Sequence, residues 1–342
     1  MSSAGLYLGV DGGASGTRAL VLDATGTVRG YGEGGNANHQ GQGFERATAH
    51  ITRAIADACA AAGCAPDQLT MAFGALAGID TEDDHHALGD LLGVLFPAGR
   101  LRLANDVWAG LRAGSLSGVG VAVNCGSGCG AVGRNAGGEM ILIPDLGYEF
   151  GDSGGGMQIA RDAIRAVVRA WDGRGEPTML TSLILDVTGQ PDVAALYLAL
   201  YRSHVTGQQR RAATRLVFQA AAAGDQVATT ILERIGTDLG LAGAAIAQRL
   251  HMQHEELSLV LTGGTFRTLQ SPLAAATIAR MRQTAPRCLP TLPLLMPVAG
   301  AALLALDAAG VPVGEAQYAR LREQGYGWHA EETFAWHGAQ PD

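Results

Sequence analysis

The chain of 342 residues lacks several features that point to particular classes of protein. Only 16% of its residues are charged, and its 24 basic and 32 acidic residues, which give a net charge of −8, form no long run of one sign. This balance argues against an extended nucleic-acid surface but is compatible with a local anion pocket. The 47% hydrophobic content and 49 glycines indicate a well-packed globular protein with many turns defined by the backbone.

The sequence also lacks the signs of a leader, a membrane span or a disulfide framework. No basic segment followed by a long apolar run stands near its first residue, so we expect a cytoplasmic protein without a signal peptide. The most apolar late stretch, residues 289–306, contains three prolines and predicts a strand and a helix start. The five cysteines are odd in number, which favours free thiols in a reducing compartment.

Hydrophobic periodicity predicts a duplicated unit. Three strand-like runs between residues 6 and 33 are separated by short glycine turns, which is typical of antiparallel hairpins. An apolar spacing of three or four residues over 43–63 predicts a helix, and strands and helices then alternate to about residue 116. The same three-strand opening recurs from residue 118, and a helix-rich insertion at about 172–223 interrupts the second copy. The organisation is therefore a repeated βββαβαβα unit.

The first glycine-rich turn follows Asp11 in "GVDGGASGT". The N–H groups of Gly12 and Gly13 can approach an anion, and Ser15 and Thr17 add hydroxyl donors. The turn lacks the Walker A lysine and leads into a strand rather than a helix. A plain hairpin with a capping aspartate explains this turn equally well.

Two further glycine turns strengthen the prediction of a nucleotide-binding site. Gly126, Ser127 and Gly128 form a turn at the equivalent point of the second copy, and facing hairpins can hold a polyphosphate from both sides. Gly263 and Gly264 end a buried strand and could let a flat ring lie on the backbone. The alternative for the latter pair is an ordinary strand-to-helix turn.

Asp106 follows the predicted fifth strand in "RLRLANDVWAG". The carboxyl ends of strands face the crevice in open α/β sheets, so Asp106 could accept a proton from an attacking hydroxyl. An N-cap for the helix that begins at Val107 is the alternative role.

The stretch "GDSGG" matches a serine-nucleophile motif. In a nucleophile elbow, the serine lies on a sharp turn that leads directly from a strand to a helix. Here residues 144–150 stand between the predicted strand and this motif. A chymotrypsin-like site would need an all-β double barrel, and this chain is rich in predicted helices. The serine-hydrolase interpretation is therefore disfavoured.

The motifs, in this order, resemble the N-acetylglucosamine kinase and BadF/BadG/BcrA/BcrD ATPase family of the sugar kinase/Hsp70/actin superfamily. "GVDGGASGTRALVLD" is similar to its first phosphate motif, "NCGSGCGAV" to its second and "LVLTGG" to its adenosine motif. The resemblance implies an α/β fold of two ribonuclease H-like, actin-like ATPase lobes around a cleft. The lobes would span 1–116 and 117–312, and a tail over 313–342 would pack back on the first lobe.

The same resemblance implies roles for individual residues. Asp106 would be the catalytic base, and Asp11 would hold Mg²⁺ through water. The expected sugar contacts are Asn38, Asp106, Asp145, Gly147 and Asp152. The expected ATP contacts are Gly12, Gly13, Ser15, Thr17, Gly126, Ser127, Gly128, Gly263 and Gly264. Ser153 and Leu146 depart from the family pattern beside the sugar, which leaves the acceptor open.

The implied activity is ATP-dependent phosphorylation of an amino sugar, N-acetylglucosamine or glucosamine, on its 6-hydroxyl. We expect a homodimer that binds no nucleic acid or membrane. One alternative is an ATPase that activates a partner enzyme, as in iron–sulfur relatives whose cysteines hold a cluster between subunits, but the cysteine positions here do not suggest that arrangement. A sugar-sensing regulator would need a DNA-binding helix pair, for which the early first strand leaves no room.

Overall fold

The computed structural model describes residues 5–152 and 154–328. It contains two five-stranded mixed sheets with orders β3-β2-β1-β4-β5 and β8-β7-β6-β9-β10. In each sheet the first three strands in the chain pair antiparallel, and the later two pair parallel beside the first. The strands are β1 (Leu6–Gly13), β2 (Gly16–Asp23), β3 (Val28–Gly34), β4 (Met71–Leu76), β5 (Leu101–Ala104), β6 (Gly120–Cys125), β7 (Cys129–Arg134), β8 (Met140–Ile143), β9 (Leu257–Thr262) and β10 (Cys288–Thr291).

Helices cover the sheets and build the insertion. They are α1 (His39–Gln42), α2 (Phe44–Ala62), α3 (Glu82–Gly93), α4 (Val107–Gly114), α5 (Gly156–Trp171), α6 (Leu180–Thr188), α7 (Val193–Tyr201), α8 (Gly207–Ala222), α9 (Gln226–Arg249), α10 (Pro272–Arg282), α11 (Pro297–Ala308) and α12 (Glu315–Leu321). The equivalent strand orders agree with the predicted duplication, and α6 to α8 occupy the predicted insertion. Among these described helices, no single one is long and apolar enough to cross a membrane, although the bent pair α6 and α7 meets the criteria of length and composition together.

The first sheet is covered on both faces, which explains why β1 and β2 are almost continuously apolar. Leu8 and Val10 pack with the apolar side of α2 in one cluster. Tyr7, Leu20 and Leu22 point to the opposite face, where they pack with α11 and α12. Alternate residues of each strand thus serve two separate cores, as the two-residue period of a strand requires.

Two helices cross between the lobes. α4 packs on β6, β7 and β9 of the second sheet, whereas α11 packs on β1, β2 and β4 of the first sheet. The two helices also contact each other, and a Cβ at Gly300 would lie 2.1 Å from the Ala109 carbonyl oxygen, so the crossing requires glycine there. Each crossing helix thus packs on the sheet of the other predicted lobe, and the division at residues 116 and 312 stays a prediction.

The segment after α11 returns to the first sheet. Tyr318 and Leu321 are buried in the same cluster as Tyr7 and Leu20. The Gln324 side-chain oxygen accepts a hydrogen bond of 2.9 Å from the Val28 N–H. The predicted contact of the tail with the first lobe concerns residues 313–342, of which 329–342 lie outside the described part.

Candidate active site

The first glycine turn joins β1 to β2 at the cleft. Asp11 is half-buried in β1 two residues before the strand end, and Ser15 stands exposed at the two-residue tip. Thr17 is fully buried and its hydroxyl donates to the Gly35 carbonyl at 2.7 Å. Because its one hydroxyl hydrogen is already used, Thr17 supports the neighbouring loop in this arrangement. Its predicted contact with ATP stays untested.

The Asn38 segment lies against the end of β1. The Ala37 N–H donates to the Gly13 carbonyl at 3.0 Å, which fixes this loop beside the first turn. Asn38 is the N-cap of α1, and its side-chain oxygen accepts from the Gln40 N–H at 2.9 Å. His39 is buried and pairs with Asp84 at 2.9 Å, so the segment is also held from the side of α3. These contacts hold Asn38 beside the end of β1, and its predicted sugar contact stays a prediction.

Asp106 stands between β5 and α4, and its side chain makes no hydrogen bond to the later N–H groups of the first turn of α4. Its neighbour Asn105 accepts from the Val107 N–H at 3.1 Å and takes over part of the capping. The Asn105 amide also donates to Asp80 at 2.9 Å, which ties the ends of β4 and β5 together. The alternative role of Asp106 as a side-chain cap is thus not the arrangement observed.

Burial makes the cleft carboxylates of the first lobe unusual. Desolvation and the negative charges of Asp11 and Asp80 raise the pKa of Asp106 to about 7. Desolvation raises the pKa of Asp11 to about 6, although the positive charge of Arg18 acts in the opposite direction. A carboxylate with a pKa near neutrality can accept a proton from a reacting group at physiological pH.

The second glycine turn is held by the start of α5. The carbonyls of Gly126 and Ser127 accept from the N–H groups of Gly156 and Met157 at 2.8 and 3.2 Å. Gly155 has a φ of +87°, and a Cβ there would lie 2.7 Å from the backbone of Gly128. Only glycine combines this conformation with this close approach. The "GGG" after Ser153 therefore positions the predicted phosphate turn.

The loop from 144 to 152 carries the two predicted sugar-side aspartates. Asp145 accepts from the Cys129 N–H at 2.9 Å, which joins the loop to the second phosphate turn. Asp152 accepts from the N–H groups of Leu146 and Gly147 at 2.7 and 3.1 Å and closes the loop on itself. Both carboxylates thus have a structural role, while their predicted sugar contacts remain predictions. Ser153 lies outside the described residues.

The third glycine pair ends β9 beside the second turn. Gly263 is tightly packed, and a Cβ there would lie 2.4 Å from the Cys125 carbonyl oxygen. Gly264, by contrast, has no neighbouring atom within 4 Å of the place a Cβ would take. An open backbone surface of this kind suits the predicted position for a flat ring.

A magnesium ion fits the donor set around Asp11. Among the described residues, no group of three or more His, Cys, Asp or Glu side chains could hold a metal ion. Mg²⁺ in nucleotide sites needs only one or two carboxylates, because waters and substrate phosphates complete its shell. A bound cation would offset the free-energy cost of desolvating the negatively charged Asp11 carboxylate. Asp11 can therefore contribute the one protein carboxylate that this kind of site requires.

The sequence reasoning missed Asp80 and Asn105. Asp80 shares hydrogen bonds of 2.9 Å with Gln40 and Asn105, and desolvation raises its pKa with further contributions from Asp84 and Asp145. Asp145 follows β8 of the second sheet, so this electrostatic influence links the two sides of the cleft. Asp80 follows a buried strand in "ALAGID", which is the same signal that identified Asp106.

Comparison with known proteins gives a consistent result. The sequence model of the BadF/BadG/BcrA/BcrD ATPase family matches residues 8–305. The chain is 32% identical over 193 residues to an N-acetylmuramic acid/N-acetylglucosamine kinase of Clostridium acetobutylicum, covering 56% of this chain and 63% of that protein, which is less than two thirds of its length. It is 27% identical over 239 residues to a glucosamine kinase of Vibrio cholerae, covering 68% and 77%.

A solved structure supports the architecture. A Chromobacterium violaceum protein, provisionally described as an N-acetylglucosamine kinase, superimposes with a TM-score of 0.66 and 26% identity. The match covers 89% of this chain and 99% of that one. Together with the two equivalent sheets, this likeness confirms the predicted two-lobed α/β fold.

Proposed function

Because the chain belongs to the BadF/BadG/BcrA/BcrD ATPase family, we propose that it is an ATP-dependent kinase for an amino sugar. The acceptor is N-acetylglucosamine or glucosamine, and the reacting group is its 6-hydroxyl. The names of the Clostridium and Vibrio relatives support this substrate class. The reaction converts ATP and the sugar into ADP and a sugar phosphate.

One observation carries this proposal. Asp106 lies at the cleft end of β5, and Asn105 relieves it of part of the capping of α4. This position supports a role for its carboxylate as the base, and burial together with the charges of Asp11 and Asp80 raises its pKa to about 7. A carboxylate whose pKa is raised by burial and by neighbouring carboxylates is typical of functional sites.

The chemistry follows from this position. The carboxylate of Asp106 accepts the hydroxyl proton as the sugar oxygen attacks the γ-phosphorus, and the bond from that phosphorus to the bridging oxygen of ADP breaks. The Gly126 N–H donates to the Gly128 carbonyl at 2.9 Å, so it shapes the second turn. The other N–H groups of the two glycine turns orient the phosphates, and Gly264 offers backbone surface to the adenine ring. Asp11 would hold Mg²⁺, which would supply positive charge that offsets the charge of the phosphates.

The loop closed by Asp152 and the segment capped by Asn38 border the sugar from opposite lobes. Asp145 joins that loop to the second phosphate turn, so sugar and phosphate positions are set by one connected framework. The exposed side chain of Leu146 presents an apolar surface on the same loop. We expect this surface to influence which substituent of the sugar is accepted.

The test is a screen of sugar-dependent ADP release with ATP and Mg²⁺. N-acetylglucosamine, glucosamine, glucose and 6-deoxy-N-acetylglucosamine are compared, with mass spectrometry of the products. We expect one amino sugar to raise ADP release at least about tenfold, and the 6-deoxy analogue to give no phosphorylated product. ADP release that no sugar increases would overturn the kinase and favour an ATPase that acts on a partner enzyme.

The burial of the cysteines argues against the alternative of an ATPase that activates a partner enzyme. Cys59, Cys125 and Cys288 are buried inside the lobes, and Cys64 and Cys129 are partly buried. An iron–sulfur cluster shared between subunits needs thiolates that reach the subunit surface. The buried thiols have raised pKa values, chiefly from desolvation, which further disfavours a ligand role.

A further inference from the structure

A second concave site lies between α5 and the helical insertion, outside the cleft. It encloses about 370 Å³ between the later turns of α5, the turn that follows α5, and α7. The start of α5 contacts the second phosphate turn, and residues 156–165 cover roughly 14 Å of helix axis. The pocket is therefore separated from the ATP positions by more than two helical turns.

Three arginines give this pocket its charge. Arg165 and Arg169 are four residues apart on α5 and share one face, and Arg174 lines the pocket from the following turn. The Arg169 guanidinium donates to the Arg174 carbonyl at 2.9 Å, while Arg174 pairs with Asp172 at 2.5 Å. Among the described residues, Asp172 is the one carboxylate paired with this group. Three positive charges thus face one negative charge in a chain whose net charge is −8.

Aromatic rings form the other side. Tyr197 and Tyr201 are four residues apart on α7, and both line the pocket. Tyr201 is 81% exposed and Tyr197 is 49% exposed, with the Trp171 ring 6.2 Å from that of Tyr197. Val168 and Leu200 add apolar surface. Exposed rings beside guanidinium groups offer stacking surfaces together with donors for an anion.

We propose that this pocket binds a small organic anion that combines a flat ring with a phosphate, of the class of nucleoside monophosphates. The guanidinium groups of Arg165 and Arg169 hold the phosphate by charge-assisted hydrogen bonds, which suit the planar fork of arginine. The ring stacks on the tyrosines of α7. The cavity volume lies in the range typical of small-molecule sites.

The test uses AMP as the probe and calorimetry or equilibrium dialysis as the measurement. The full chain is first saturated with a non-hydrolysable ATP analogue and Mg²⁺, which fill the cleft. We expect wild type to bind about one further equivalent of AMP, and Arg165→Gln with Arg169→Gln to weaken that binding at least about tenfold. Inorganic phosphate alone and adenosine alone should each bind more weakly than AMP, because each uses half of the site.

The control is Arg161→Gln, which removes an exposed arginine one turn earlier on α5 that bonds to Gln158 rather than lining the pocket. Melting temperatures and sugar-dependent ADP release verify that each variant is folded. The proposal is overturned if AMP does not bind beside the ATP analogue, or if the double variant binds it as well as wild type. It is also overturned if sedimentation shows that the double variant dissociates a dimer, because this face is then a subunit contact.

Discussion

The two glycine turns occupy equivalent places in two equivalent sheets, yet they are supported differently. The first turn receives the Ala37 N–H on its Gly13 carbonyl and leaves Ser15 exposed at its tip. The second turn receives two N–H groups from the start of α5, with Gly155 pressed against it. The hairpin thus has an exposed tip held by a neighbouring loop in one lobe and is part of a packed helix start in the other.

The carboxylates show the same division. In the first lobe, burial raises the pKa of Asp11 and Asp106. In the second lobe, desolvation also raises the pKa of Asp145, but Asp145 and Asp152 both accept backbone N–H groups that hold a loop in shape. This contrast suggests that the first lobe supplies the reacting groups and the second supplies the framework that positions the substrates.

The largest expected effect comes from removing the base. Asp106→Asn preserves size but cannot accept the hydroxyl proton, so we expect kcat to fall by about 10³-fold while ATP affinity is retained. Sugar-dependent ADP release and nucleotide titration measure the two quantities. The matched control is Asp90→Asn on the exposed side of α3, which should leave both unchanged. Turnover of the Asp106 variant within about tenfold of wild type would refute its role as the base.

The place where Gly155 packs on the second turn should be far less tolerant of an added Cβ than Gly13 in the first turn. Gly155→Ala combines an unfavourable positive φ with a clash against Gly128, so we expect a loss of about 2 to 4 kcal/mol in the free energy of unfolding. Gly13→Ala has no neighbour closer than 3.9 Å and should cost less than about 1 kcal/mol. Urea unfolding compares the two variants.

A third variant separates the cost of backbone strain at a positive φ from the cost of steric overlap with neighbouring atoms. Gly138 has a φ of +86° with no atom within 4 Å of a Cβ, so Gly138→Ala should cost only about 1 kcal/mol of backbone strain. If Gly155→Ala and Gly138→Ala destabilise equally, the close packing of α5 on the second turn contributes nothing measurable.

The stability of the first lobe should also depend on pH through its carboxylates. A pKa of about 7 for Asp106 in the folded state lies above its ordinary value of 3.8, so the folded state binds more protons. Its contribution to stability is present below about pH 4 and is lost as the pH rises through 7. Asp106→Asn removes this loss, and we expect it to stabilise the nucleotide-free protein by about 1 to 3 kcal/mol at pH 8.

The measurement is urea unfolding of both proteins in chelator at pH 5 and pH 8. The advantage of Asp106→Asn should be larger at pH 8 than at pH 5. An advantage that is equal at both pH values would mean that burial of the carboxylate destabilises the fold very little. Asp90→Asn, a substitution at an exposed position of α3, again provides the baseline.

Local sequence patterns were sufficient to predict the repeated unit, but they did not predict the contacts between its two copies. Alternation and glycine turns predicted the strand openings, because both signals act within a few residues. The exchange of α4 and α11 between the sheets depends on segments about 190 residues apart, with Gly300 fitting against Ala109. No local signal in either helix specifies that partner.

The candidate site shows the same limit. Asp106 and the glycine turns could be predicted as site residues because they follow predicted strands. Asp80 also follows a predicted strand and could have been found in the same way. Thr17 shows what a motif cannot reveal, since its hydroxyl is bonded to Gly35, a residue that follows a different strand. The structural roles of Asp145 and Asp152 depend on which N–H groups a folded loop presents, which spacing alone does not determine.

The smallest expected effect concerns the loop that Asp152 closes. Asp152→Asn keeps an acceptor oxygen for the N–H groups of Leu146 and Gly147 but removes its charge, so each hydrogen bond weakens by about 0.5 to 1 kcal/mol. A looser loop costs more to order around the sugar. We therefore expect the sugar KM to rise by about three- to tenfold while kcat stays within about twofold.

Steady-state kinetics with the sugar varied measures this split, and Glu149→Gln on the same loop is the control, because its side chain is exposed. A fall in kcat comparable to that of Asp106→Asn would place Asp152 at the reacting groups and remove the distinction between the lobes. An unchanged KM would mean that the loop does not border the sugar. A rise in KM alone fits a second lobe that shapes the site, because an interaction that stabilises the bound sugar and the transition state equally can be weakened without changing kcat.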